Sequence, residues 1–185
     1  IVLRIDSPGG DALASDLMWR AVMKAREKKP IVASMGDVAA SGGYYVAAAA
    51  QTIFAEDNTI TGSIGVFGLL FNVEDLADEL GVRSFAVERG ANPGPSLFRP
   101  LTDSQRHALE GSIEATYDRF LDAIVAGRGE ASGLDKERLR VLAEGRVWTG
   151  AQALERKLVD ERGGILKAIA RARELAGIGA DEPVT

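Results

Sequence analysis

The sequence predicts an α/β fold, layered, with largely parallel strands and flanking helices. Three observations predict it. Strand-like and helix-like signals alternate through the first ninety residues, the pattern of strand–helix units that pair strands in parallel. A chain of 185 residues with 46% apolar side chains can bury a core of its own. No internal repeat and no low-complexity linker interrupts it, so residues 1–185 read as a single domain.

The elements follow in order. Residues 1–5 (Ile1-Val2-Leu3-Arg4-Ile5) form a strand that runs into the turn Ser7-Pro8-Gly9-Gly10. A helix comes next, with Leu13, Leu17, Met18, Ala21, Val22 and Ala25 at helical spacing, and Lys28-Lys29-Pro30 stops it. A second strand over residues 31–35 leads through Gly36-Asp37 to a turn at Ser41 and a short helix to residue 50. A strand around residues 53–55 precedes the glycine-punctuated Thr61-Gly62-Ser63-Ile64-Gly65-Val66-Phe67-Gly68. A helix near residues 73–80 and a strand over 84–87 complete this part, before a loop over 90–100. Thr102 and Gln105 fit a capping box opening a long helix, whose stripe is Leu109, Ile113, Tyr117, Phe120, Leu121 and Ile124. Helices over 135–143, over 150–157 behind the cap Thr149, and over 165–175 follow, with a frayed tail over 177–185.

Composition narrows the chemistry. A net charge of −5 argues against a nucleic-acid partner, which selects basic patches. No run of about 18 apolar residues occurs that would span a membrane. The absence of cysteine excludes disulfides and thiolate chemistry, and with a single histidine it leaves no expectation of a metal or other cofactor. Ile1 already lies in a strand-like run with no start methionine, so the chain reads as a piece of a longer protein.

The residues that carry chemistry are Ala39-Ala40-Ser41-Gly42-Gly43-Tyr44-Tyr45 and Asp6-Ser7-Pro8-Gly9-Gly10. Ser41, on a strand-to-helix turn, is the candidate nucleophile. Backbone N–H groups of Gly10 and Gly42 are candidate oxyanion donors, each such donor being worth roughly 3–4 kcal/mol of barrier. A Gly-x-Ser-x-Gly elbow around Ser63 fails, because Thr61 stands where the first glycine belongs. No Gly-x-Gly-x-x-Gly follows a strand. The acidic pairs Asp75/Asp78 and Glu155/Asp160 read as solvated faces. His107, off the apolar stripe of its helix, reads as exposed. A lysine base must be largely neutral near pH 7, which requires roughly 4 kcal/mol of desolvation and charge effects. Lys24, Lys28, Lys29, Lys136, Lys157 and Lys167 all lie on helices or at their ends, without a sign of such burial.

Arg4-Ile5-Asp6-Ser7-Pro8-Gly9-Gly10, Ser34-Met35-Gly36, Ala39-Ala40-Ser41-Gly42-Gly43-Tyr44-Tyr45 and Thr61-Gly62-Ser63-Ile64-Gly65-Val66 closely resemble the signal peptide peptidase A (protease IV) family of serine–lysine peptidases. Gly145-Arg146-Val147-Trp148-Thr149-Gly150 and Leu158-Val159-Asp160 also resemble it, so the match runs in order through nearly the whole chain. The resemblance implies a Clp protease/crotonase-like fold and hydrolysis of hydrophobic peptides such as cleaved signal peptides. It implies Ser41 as nucleophile, Ser63 as the residue that orients the lysine base, and Gly10 and Gly42 at the oxyanion.

The departure is at Val87-Glu88-Arg89-Gly90-Ala91, where single-domain members carry the lysine and this chain has Glu88 followed by Arg89. An arginine does not deprotonate in proteins. In the two-domain members the amino-terminal half donates the lysine, and this chain resembles the carboxy-terminal half. The resemblance therefore implies a lysine from an upstream domain or a neighbouring subunit, a homo-oligomer, and membrane association through a segment outside this chain. It places the catalytic domain outside the cytoplasm, in a bacterial periplasm. The alternatives are a catalytically incomplete member acting as a peptide-binding or assembly module, and a crotonase-type acyl-CoA enzyme, which leaves Ser41 unexplained.

Overall fold

One nine-residue strand, β2 (Val32–Ala40), organises the fold. The computed structural model describes residues 1–90, 93–179 and 182–183, with the backbone alone at residues 130 and 131. Ala91 of the departing motif and most of the tail beyond residue 179 therefore lie outside the described residues. Two compact units are present, one formed by Ile1–Gly65 with Asp118–Thr185, the other by Val66–Tyr117.

In the first unit, β1 (Val2–Ser7) runs parallel along one edge of β2. Along the other edge, β3 (Thr52–Ala55) pairs with Val32–Ser34 and β4 (Ile60–Gly62) with Val38–Ala40, both parallel. The short strands β5 (Val147–Thr149), antiparallel to β4, and β6 (Glu161–Arg162), parallel to β3, extend the sheet. The predicted α/β fold with mostly parallel pairing is therefore observed. The two short strands carry no apolar alternation long enough to betray them in sequence.

Side chains alternate across the sheet and sort the helices onto its two faces. Val2, Val32 and Phe54 lie on one face, against Ala168 and Ala172 of α7 (Ile165–Ala176). The opposite face carries Ile5, which touches Gly43 of α2 (Gly42–Ala47). The helix α1 (Ala12–Arg26) packs through Trp19, whose ring meets Tyr45 edge-on at 6.4 Å. Tyr45 in turn stacks on Phe120 at 4.5 Å, tying α2 to the later half of α4 (Asp103–Ser132). This half of α4 lies so close to α2 that a Cβ on Gly127 would stand 2.1 Å from the Ala48 carbonyl oxygen. The helices α5 (Lys136–Leu142) and α6 (Gly150–Glu155) complete the unit, capped by Asp135 and Thr149.

Two expectations change in or near the sheet. Gly36-Asp37 is not a break: β2 continues through it to Ala40, because the Asp6 carboxylate accepts the Val38 N–H at 3.1 Å and keeps the strand extended there. Asp160 is no solvated face either. Its carboxylate accepts two hydrogen bonds from Arg128, at 2.7 and 3.0 Å, and one from the Ile53 N–H at 2.7 Å. The Arg128 side chain is only 1% exposed, and a buried charge of that kind needs a counter-ion.

In the second unit, α3 (Glu74–Glu79) follows an Asn72 side chain that accepts the Glu74 N–H. The Thr102/Gln105 capping box at the start of α4 forms as predicted. The strand predicted over 84–87 does not. Phe85 and Val87 alternate as a strand would but stand exposed, and among the described residues no neighbouring strand supplies a ladder. Glu88 instead makes an ion pair with Arg99.

Gly127→Ala is expected to destabilise the chain by at least about 1–3 kcal/mol, since its new Cβ meets a backbone oxygen that cannot rotate away. That outweighs the roughly 1 kcal/mol that alanine contributes to helix propensity. Chemical denaturation reads the result as a lowered midpoint.

Candidate active site

Three parallel strands deliver three turns to one end of the sheet, the carboxyl end, where open α/β sheets place their ligands. Ser7 pairs with Ala39, so Pro8-Gly9-Gly10 emerges beside Ala40-Ser41. Ala40 pairs with Gly62, so Ser41 and Ser63 are the next residues on adjacent strands. Between the Ile5–Met35 and Ser7–Ala39 pairs, β1 takes two steps and β2 takes four. Asp6 fills this bulge, lying over Gly36 so closely that a Cβ there would come within 2.7 Å of its carboxyl carbon. The bulge sets how far the Gly9-Gly10 turn reaches past Ser41.

Ser41 stands on the predicted strand-to-helix turn, between β2 and α2, at φ 52° and ψ −118°. A non-glycine residue there is strained by roughly 1–3 kcal/mol and persists only where its surroundings hold it. Its N–H donates to the Gly62 carbonyl at 2.9 Å, and its carbonyl accepts the Tyr45 N–H at 2.8 Å. Ser63 is likewise at positive φ, 47°, and its N–H donates to the Arg146 carbonyl at 2.7 Å. Both serine side chains are half-buried.

Gly10 and Gly42 come together as the sequence predicts. A Cβ on Gly42 would lie 3.3 Å from the Gly10 nitrogen, and one on Gly9 would lie 2.9 Å from the Gly42 nitrogen and 2.7 Å from the Ser41 Cβ. Among the described residues neither the Gly10 nor the Gly42 N–H has an acceptor. Two unengaged donors beside a strained serine form an arrangement suited to a developing oxyanion.

The lysines are elsewhere. Lys24, Lys28 and Lys29 lie at the far end of α1, whose first residue follows Gly10 and Asp11. At 1.5 Å per residue, Lys24 is about 18 Å along that helix. Lys157 and Lys167 are exposed. Lys136 is ion-paired to Asp122 at 2.7 Å, which holds its pKa above the ordinary lysine value, opposite to what a base requires. His107 is exposed, as predicted.

Several supporting residues escape sequence reasoning. Ser15 is buried against Gly42, where a Cβ would stand 2.4 Å from its hydroxyl oxygen, and that O–H donates to the Asp11 carbonyl. The Gly145–Gly150 segment anchors the Ser63 turn: Gly145 N–H donates to the Ile64 carbonyl at 3.0 Å, and Trp148 lies against Gly62. Tyr44 is fully buried and donates to the Leu158 carbonyl at 2.9 Å. Burial pushes its phenol up to about 12. Tyr45 donates to an Asp16 carboxylate oxygen at 2.9 Å. The sequence signal for these partners was the bare recurrence of the motifs, which does not say what each side chain touches.

Comparison with known proteins places the chain in a family. The sequence pattern of peptidase family S49 matches residues 23–179. The chain is 44% identical over 186 aligned residues to the chloroplastic serine protease SPPA of Arabidopsis thaliana, covering 100% of this chain and 27% of that protein. It is 37% identical over 185 residues to protease 4 of Haemophilus influenzae, covering 100% of this chain and 29% of that one. It is 38% identical over 177 residues to protease 4 of Salmonella typhi, covering 95% and 28% respectively. The chain thus spans less than a third of the length of these relatives.

Two outcomes follow from the site's packing. Gly9→Ala is expected to cost more than about 1 kcal/mol in denaturation, since it adds strain at φ 112° to contacts with Ser41 and Gly42. In a spectrophotometric titration, Tyr44 should form phenolate only near pH 12 in the folded chain, against about pH 10 once unfolded. A phenol whose pKa is higher folded than unfolded contributes stability that is complete below pH 10. That contribution is lost as pH rises from about 10 through 12.

Proposed function

The chain belongs to peptidase family S49, and on that premise we propose that it is the serine-bearing part of a serine–lysine peptidase that hydrolyses hydrophobic peptides, such as cleaved signal peptides. The observation that carries this reading is the juxtaposition of Ser41, strained at the end of β2, with the unengaged N–H groups of Gly10 and Gly42.

In the proposed reaction, Ser41 Oγ attacks the scissile carbonyl and its proton passes to a neutral lysine. The Gly10 and Gly42 N–H groups stabilise the oxyanion of the tetrahedral intermediate. The lysine ammonium then protonates the leaving amine, and the acyl-enzyme is hydrolysed by water that the same lysine deprotonates. Ser63, adjacent to Ser41 across the β2–β4 register, would accept from or donate to the lysine and hold it toward Ser41.

The lysine is proposed to come from outside this chain, from an upstream domain or a neighbouring subunit. Support comes from the six lysines present, five of them exposed and the sixth, Lys136, ion-paired. A homo-oligomer, with membrane attachment through a segment outside this chain and the catalytic part in the periplasm, is proposed on the family resemblance. Among the described residues no helix is long and apolar enough to cross a membrane. The alternative, a catalytically incomplete peptide-binding module, draws on Glu88, paired with Arg99 where single-domain members carry the lysine.

Hydrolysis of an apolar fluorogenic peptide by the isolated 185-residue chain, the full-length gene product and its Ser41→Ala variant tests the reading. Full-length protein should be active, Ser41→Ala should lose at least about 10³-fold in kcat, and the isolated chain should stay near background. Robust hydrolysis by the isolated chain would sink the idea of an external base. A full-length protein that binds the peptide without cleaving it would favour the module.

A further inference from the structure

We propose that the hydroxyls of Tyr44 and Tyr45 are positioning groups: they pin α2 from two sides and so fix the Gly42 N–H against the Gly10 N–H. The inference rests on the reading of Ser41 as nucleophile and of these two amides as oxyanion donors.

The short helix after Ser41 cannot hold this geometry alone. It has six residues, and no side chain caps its first turn. Isolated helices of that length are not stable, so outside contacts must place it. Ser41 itself is strained, which makes the turn dependent on what surrounds it.

Tyr44 supplies one anchor. Its hydroxyl donates to the Leu158 carbonyl at 2.9 Å, inside a segment tied down on both sides by hydrogen bonds. Arg128, on α4, donates to the Lys157 carbonyl at 3.2 Å and to both Asp160 carboxylate oxygens. Asp160 also accepts the Ile53 N–H of β3. A buried ion pair is a poor way to gain stability, since apolar replacements of similar shape are often as stable. What the Arg128–Asp160 pair supplies is a fixed acceptor for Tyr44.

Tyr45 supplies the other anchor, on the neighbouring element. Its hydroxyl donates to Asp16 Oδ1 at 2.9 Å, and Asp16 sits on the second turn of α1, the helix that begins directly after Gly10-Asp11. Arg20 pairs with the second Asp16 oxygen at 2.7 Å and keeps the carboxylate ionised as an acceptor. Each hydroxyl thus reaches a part of the chain that is itself held: one the segment between α6 and β6, the other the helix that carries the Gly10 turn. The two hydrogen bonds thereby hold α2 relative to the helix that carries the Gly10 turn.

The test is Tyr44→Phe and Tyr45→Phe, singly and together, in the full-length gene product. Each removes one hydroxyl and keeps the ring. Donors that matter only in the transition state change kcat and leave KM unchanged. A peptide aldehyde that adds to Ser41 as a tetrahedral hemiacetal reads the same donors, and its inhibition constant does not depend on how much enzyme is folded. The expected result is cooperative unfolding in each variant, KM within about twofold, and kcat and aldehyde affinity falling together by about tenfold or more.

Unchanged kcat and aldehyde affinity would overturn the inference. So would a fall in kcat with aldehyde affinity intact, which reports lost folded protein, or a rise in KM alone. If Tyr44→Phe loses its cooperative transition, Tyr45→Phe, which leaves the buried ion pair untouched, decides the question. Ser41→Ala runs alongside. Full activity in that variant overturns the nucleophile reading and this inference with it. An inactive Ser41→Ala beside fully active phenylalanine variants overturns this inference alone.

Discussion

The register between β2 and β4 is the constraint on which the rest of the site depends. Ala40 pairs with Gly62, and the Ser41 N–H closes the ladder on the Gly62 carbonyl at 2.9 Å. Both strands then turn at a serine with positive φ, at 52° and 47°. A one-residue slip would reverse the faces of every side chain beyond it. Thr61 guards against that slip, because its buried hydroxyl donates to the Ala39 carbonyl at 2.7 Å. On the other edge of β2, the bulge around Asp6 and Gly36 does the equivalent for the Pro8-Gly9-Gly10 turn. The relative placement of the two serines is therefore a property of backbone pairing rather than of flexible side chains.

Close backbone approach is the second requirement, and it explains why small residues crowd this end of the sheet. Gly9 meets Ser41, Gly42 meets Ser15, and Gly43 meets the Ser7 carbonyl, which a Cβ would approach to 2.8 Å. Any side chain at these positions would part the turns. The strain at Ser41, roughly 1–3 kcal/mol, is offset by the ladder and by a buried apolar bed in which Tyr44, Ala47, Ala48 and Ala49 are inaccessible to solvent. Preformed donors cost nothing to organise when the oxyanion develops, which is where such sites gain their rate.

Much of this was legible in the sequence, and the reasons for the misses are physical. Pro8-Gly9-Gly10 and Ser41-Gly42-Gly43 announced close approach and a sharp turn, and the sheet places them together. The Thr102 capping box and the Thr149 cap form because they are local, needing only residues three apart. Long-range partners were illegible. Asp160 looks solvated beside Glu155, yet its partner Arg128 lies 32 residues upstream on α4. Gly36-Asp37 looks like a break until Asp6, thirty-two residues from Val38, supplies its acceptor. Residues 84–87 have the alternation of a strand, but alternation states only which faces a strand would have. Whether a strand forms depends on a neighbour to bond it, and none is present among the described residues. The Tyr44-Tyr45 pair shows the same limit, since the motif stands out in sequence while its acceptors, Leu158 and Asp16, belong to separate elements.

The distribution of charge gives the proposed external base its physical sense. A lysine that is neutral near pH 7 must be desolvated, and desolvation demands that apolar surface close around it. Among the described residues the one fully buried cation is Arg128, and it is committed to Asp160. The lysines lie exposed at the surface or, at Lys136, against Asp122. Ser63 is held by the Arg146 carbonyl through its backbone and remains half-buried, so its hydroxyl is free to meet a group arriving from outside. On the proposed reading, this chain carries the parts that must be rigid, a strained nucleophile and two aimed amides. The part that must be desolvated arrives with another surface, and the contact that excludes water from the lysine is the same contact that completes the site. Hydrolysis is then tied to assembly, and a free copy of this chain holds its nucleophile in place without being able to activate it.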